Sequence, residues 1–154
     1  SAVRYSVVWF FQEIARKVGV EAMNKQIMRL RYGNMDISGG EDSFWLASTL
    51  KISADEQVEL LKKFVANKLH FSNAHIAMMK SMLCHSYEGK DNLFAKTGSS
   101  GSKNGKSFGW YVGFLEKDNN TYIFALNVHG DDTVNGFKAK DLVMQILKRK
   151  GLIN

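Results

Sequence analysis

The sequence predicts an α+β fold: helices first, then antiparallel strands, then one closing helix. Three observations predict it. Apolar residues recur at helical spacing through the first half, from Val3 to Cys84. Residues 107–116 and 121–128 are rich in aromatic and β-branched types on either side of a polar link, the mark of a hairpin. A last amphipathic stretch runs towards Gly151. The 154 residues, 45% hydrophobic and 23% charged, suffice for one core with ordinary globular composition. Residues 1–90 are expected to be mainly helical, and 91–154 to hold the strands and the C-terminal helix.

Val3, Val7, Phe10, Ile14 and Val18 share one helical face, and Gly19 stops that helix. A second helix, about 21–30, buries Met23, Ile27 and Leu30. The turn formers from Tyr32 to Gly40 make a loop. Ser53-Ala54-Asp55-Glu56 is a capping box that opens a helix through Val58, Leu61 and Val65 to about Leu69. Ser72 opens the next, which ends near Cys84. Leu93-Phe94-Ala95 leads a strand into Lys96-Thr97-Gly98, and residues 116–120 join the two hairpin strands. Asn135 caps the last helix, with Phe137, Leu142, Ile146 and Leu147 as its apolar positions.

Several function classes are set aside. The net charge is +6, but the basic residues are scattered, and the cluster Lys148-Arg149-Lys150 suits a helix C-terminus. Aromatics sit in strand patterns rather than between basic residues, so no nucleic-acid surface is expected. There is no apolar run long enough to span a membrane, and residues 1–6 lack the pattern of a secretion signal. Cys84 is alone, and His70, His75, His85 and His129 lack zinc spacing, so no metal is expected. Residues 101–107 approach a phosphate-loop pattern, but that loop needs a following helix and here a strand follows. Ser100 and Lys103 match Ser-x-x-Lys in letters only, since a glycine- and serine-rich turn does not bring the two side chains together.

Four short motifs remain, in order: Ser6-Val7-Val8, Tyr32-Gly33-Asn34, Lys96-Thr97-Gly98 and Trp110-Tyr111-Val112-Gly113. Each alone is weak; the set, with these spacings and element types, resembles the class D (oxacillinase-type) serine β-lactamases and the related β-lactam sensor domains. Residues 32–46 resemble that family's omega-type loop, and the likeness runs over essentially the whole chain. It implies a serine β-lactamase/penicillin-binding-protein-like fold. This chain would be the C-terminal portion of one such domain, holding part of its helical lobe, the strands and the C-terminal helix. The family's first motif, Ser-x-x-Lys, is expected some tens of residues ahead of Ser6, outside these 154 residues. It would bring the acylated serine and a lysine carrying carbon dioxide as a carbamate; no other cofactor is implied.

The resemblance also implies roles. Ser6, facing the site from its helix, would pass a proton to the β-lactam nitrogen, with Lys96 beside it. The Ser99 amide would be one oxyanion donor. Trp45 would hydrogen-bond the carbamate and Val8 would keep it dry. Thr97, Gly98 and Ser99 would line the substrate strand, and Thr97 and Ser99 would bind the substrate carboxylate, with Lys138 as weak support. Tyr32, Gly33 and Asn34 would build the loop, while Trp110 and Gly113 would shape the strand behind the site. One departure stands out: the family often has an arginine near the start of the last helix, and Lys138 takes its place, a point charge instead of a planar fork. The expected function is β-lactam hydrolysis. The alternative is a sensor domain that is acylated and signals, and more distantly a transpeptidase relative. The partners implied are a β-lactam and the preceding segment of the same domain. The expected location is periplasmic or extracellular, and these 154 residues alone are expected to be inactive.

Overall fold

One glycine separates the first two helices. In the computed structural model, which describes residues 1–46, 49–87, 90–100 and 104–154, α1 (Val8–Val18) and α2 (Val20–Leu30) meet at Gly19. Its φ of 80° and ψ of 151° are open in practice only to glycine. The chain divides into two compact units, Ser1–Ser72 and Asn73–Asn154.

In the first unit the opening helix starts later than its apolar spacing suggests. Val3, Ser6 and Val7 precede α1. The Ser6 amide donates to Val3 O at 3.2 Å and the Val7 amide to Ala2 O at 3.1 Å. Ser6 itself is left-handed, with φ 50°. A left-handed residue breaks the helical ladder, so Ser6 stands in a turn and not on the helix. The capping box forms as expected: Glu56 N donates to Ser53 Oγ at 3.2 Å, and Ser53 N donates to Glu56 Oε2 at 2.8 Å. It opens α3 (Ala54–Val65). That helix ends short of Leu69 because Asn67 and His70 turn left-handed, at φ 52° and 56°. Leu69 is buried even so, and its carbonyl accepts from Arg29 at 3.0 Å.

The second unit holds α4 (Asn73–Leu83), β1 (Cys84–Tyr87), β2 (Lys90–Ser99), β3 (Ser107–Lys117), β4 (Asn120–Gly130) and α5 (Gly136–Arg149). The four strands form one antiparallel sheet in sequence order. β1 was not legible in the sequence; it follows α4 without a break and pairs with β2 only as far as Phe94. The link between β3 and β4 is shorter than residues 116–120. Lys117 pairs with Asn120, leaving Asp118 and Asn119 as a two-residue turn with φ 51° and 60°. Two left-handed residues give the turn whose twist matches a hairpin.

Strand alternation sorts the side chains. Leu93, Ala95, Tyr111 and Leu115 face α5 and pack with Ala139, Val143 and Leu147 in the core. On the other face Phe94 and Phe114 stack at 4.9 Å. Lys80 of α4 lies over both rings and pairs with Glu116 at 2.6 Å. α5 shows where reading by period fell short. Its buried stripe is Gly136, Ala139, Val143 and Leu147. Phe137 and Ile146, expected inside, are 71% and 44% exposed, and Leu142 is half-buried. The smaller residues face the sheet because the helix lies close against it.

Candidate functional site

The Lys96-Thr97-Gly98-Ser99 segment ends β2. Beyond Phe94 no strand of this sheet pairs it on the β1 side, so among the described residues it takes its ladder from β3 alone. Alternation turns Thr97 and Ser99 to the α5 face, with Lys96 and Gly98 on the other. The Lys96 ammonium donates to Thr97 O at 2.8 Å and lies 3.4 Å from Thr97 Oγ1. Burial pushes its amine below the usual lysine range, because a charged head loses water there.

The glycines around this segment divide into two kinds. A Cβ on Gly113 would fall 2.2 Å from Phe94 O, and one on Gly109 would fall 2.0 Å from Asn135 O; neither backbone can yield. A Cβ on Gly98 would meet Trp110 Cβ at 3.4 Å, a tight contact that a small shift relieves. Gly113 and Gly109 are therefore required by packing, whereas Gly98 is not.

α5 begins against the same segment. Asn135 Oδ1 accepts from the amides of Phe137 and Lys138 at 2.9 and 3.1 Å. Ser99 Oγ accepts from the Gly136 amide at 2.9 Å. Lys138 follows on the exposed side of that turn. Asn135 caps the helix as expected, whereas the close packing of Gly109 and Gly136 had no place in the motif reading. The signal that could have found them is the run of small residues at positions 109, 113 and 136, where chain must approach chain.

In the first unit, Tyr32, Gly33 and Asn34 knit the loop. The Asn34 side chain donates to Thr49 O at 2.8 Å and accepts from Lys51 N at 2.9 Å. Gly33 is left-handed at φ 53°, and a Cβ there would overlap Lys51 O. Gln57 donates to the Tyr32 hydroxyl at 2.9 Å, and burial pushes that phenol above its usual range. Trp45 is half-buried, edge-on to the buried Phe44 at 4.8 Å. Val8 opens α1 and is 44% exposed. Ser6, Val8 and Trp45 thus belong to the first unit, and Lys96, Thr97, Gly98, Ser99, Trp110, Gly113 and Lys138 to the second. Of the phosphate-loop-like stretch, residues 101–103 lie outside the described residues, and so does Lys103 of the Ser-x-x-Lys match. A strand, β3, follows from Ser107, as the sequence implied. Ser100 holds the hairpin neck, its Oγ accepting from Phe108 N at 2.9 Å.

A strand end carrying Lys-Thr-Gly, backed by a glycine-bearing strand and a capped helix, defines a class of protein. The chain belongs to the penicillin binding protein transpeptidase domain family, whose model matches residues 1–148. Within it, the relatives are class D serine β-lactamases and BlaR-type sensor domains. The chain is 40% identical over 153 residues to the probable beta-lactamase YbxI of Bacillus subtilis (strain 168), covering 99% of this chain and 55% of that protein. A class D beta-lactamase structure from Bacillus subtilis superposes with a TM-score of 0.88 at 39% identity. The C-terminal domain of the Bacillus licheniformis BlaR penicillin-receptor superposes with a TM-score of 0.93 at 31% identity. Each comparison covers 99% of this chain and 62% of the solved chain. The chain therefore spans a little over half the length of the β-lactamases it matches and about a quarter of the full-length sensor proteins. Among the described residues, no helix is long and apolar enough to cross a membrane.

Proposed function

We propose that these residues are the C-terminal portion of a single class D β-lactamase-type domain that hydrolyses β-lactam antibiotics through a serine acyl-enzyme on the cell-envelope side. The nucleophilic serine and the carbamylated lysine lie outside residues 1–154. The observation that carries the reading is the Lys96–Ser99 strand end. Among the described residues it is paired on one side only and joined to the start of α5, with a glycine at 98 that packing does not demand. A glycine with no packing reason suits a ligand laid along the backbone.

The chemistry is acyl transfer. The serine oxygen bonds to the ring carbonyl, the ring C–N bond breaks, and the nitrogen takes a proton; water then releases the acyl group from serine. Ser6 passes the proton to the nitrogen, and Lys96, already desolvated, supports that transfer and attracts an anionic substrate. The Ser99 amide donates to the oxyanion, a role whose loss costs roughly 10²–10³ in rate. Thr97 and, in support, Lys138 hold the carboxylate; the Ser99 hydroxyl, expected there too, is engaged by the Gly136 amide. A carbamate, when present on its lysine, supplies the general base. The apolar setting of Trp45 against Phe44, together with Val8, suits such a group, because carbon dioxide adds to a neutral amine and burial keeps it neutral.

A sensor domain that acylates without deacylating is the second reading, favoured by the TM-score of 0.93 to the BlaR domain. Val8 supports the enzyme, because an apolar side chain there suits a carbamate kept from water. The test is the full-length protein mixed with a chromogenic cephalosporin. Steady turnover is expected. One stoichiometric burst would identify a sensor, and no reaction would overturn both. Residues 1–154 alone are expected to give neither.

A further inference from the structure

One side-chain bond ties the end of β2 to α5. Ser99 Oγ accepts from the Gly136 amide at 2.9 Å. Gly136 is buried so tightly that a Cβ would fall 2.6 Å from Gly98 O and 2.9 Å from Thr97 Cβ. Asn135 secures the next two amides, those of Phe137 and Lys138. The first turn of α5 is thus fixed within itself by Asn135, and across to the substrate strand by the Ser99 hydroxyl.

We propose that the Ser99 side chain is a positioning residue: it sets Lys138 against Thr97 so that the two hold one ligand carboxylate. This rests on the function proposed above and adds to it, since that function uses the Ser99 amide and not its hydroxyl. The physical need is specific to this chain. An arginine fork finds a carboxylate by its own shape, whereas a lysine is a point charge on a flexible stem. Its backbone must therefore be held, because a misplacement of about 1 Å is enough to weaken a charged contact. Without the Oγ, the buried Gly136 amide loses its side-chain partner, and the α5 turn keeps its packing but loses the hydrogen bond that fixes it to the strand bearing Thr97.

The test compares acylation of the full-length protein by a cephalosporin bearing a free carboxylate and by its methyl ester. Ser99→Ala keeps the backbone amide. It is expected to slow the acid about tenfold and the ester less than about twofold, the scale of one hydrogen bond to a charged group. Ser99→Thr, which keeps the hydroxyl, is expected to restore the acid rate. Ser99→Ala added to Lys138→Met is expected to cost nothing further, as coupled residues do. Equal slowing of acid and ester, a Thr variant as slow as Ala, or effects that simply multiply would overturn the proposal alone. An unsubstituted protein that is not acylated at all would overturn it together with its parent.

Discussion

Tyr111 puts a phenol where strand alternation asks only for an apolar ring. It is fully buried at 0% exposure, tilted against Phe124 at 5.4 Å, and its hydroxyl finds no hydrogen-bond partner among the described residues. A buried hydroxyl without a partner costs about 1–3 kcal/mol. Tyr111→Phe in this chain is therefore expected to raise stability by about 1 kcal/mol, read as a higher urea midpoint. A fall of that size would show that the hydroxyl has a partner. The pH dependence follows from the same burial. The phenol is pushed up to about 12 from an ordinary value of 10.0. Between those values the unfolded chain releases a proton that the folded chain keeps. The stability is whole below pH 10 and is lost as pH rises towards 12. The Phe variant loses that part of the alkaline decline.

At the scale of elements, two caps behave as their letters promise. Ser53 and Glu56 bond reciprocally, and Asn135 takes two amides of α5. Asn135→Ala is expected to cost about 1 kcal/mol by chemical denaturation. A loss well above that would mean that the α5 turn also leaves the sheet, since a Cβ at Gly109 would overlap the Asn135 carbonyl. α5 also explains why Phe137 was misplaced by period. Apolar letters mark an apolar stripe, but which letters face the sheet depends on how closely the helix docks. Close docking selects Gly136 and Ala139 over Phe137.

At the scale of the whole molecule, β4 is the exposed question. It closes one side of the sheet and, among the described residues, pairs only with β3. Residues 122–128 are half-buried along their length, and six of those seven are apolar or aromatic. An edge of that composition is a template for another strand. Residues 1–154 produced alone are therefore expected to self-associate with rising concentration in sedimentation velocity, and Ala125→Lys to reduce it, because a charge on an edge discourages pairing. A monomer at every concentration would count against this.

What the sequence determined by itself is the order of elements apart from β1, both caps, the stop at Gly19 and the family. Each of these depends on chemistry within a few residues, or on motifs whose spacing survives in the letters. What the tertiary structure decided is different in kind. Ser6 sits in a left-handed turn ahead of α1, β1 follows α4 directly, Gly109 and Gly113 admit a neighbouring chain, and Ser99 bonds to Gly136 across 37 residues. None of these is fixed by a local propensity. Each depends on how near one backbone comes to another, and that distance is set only when the strands and α5 close on a common core.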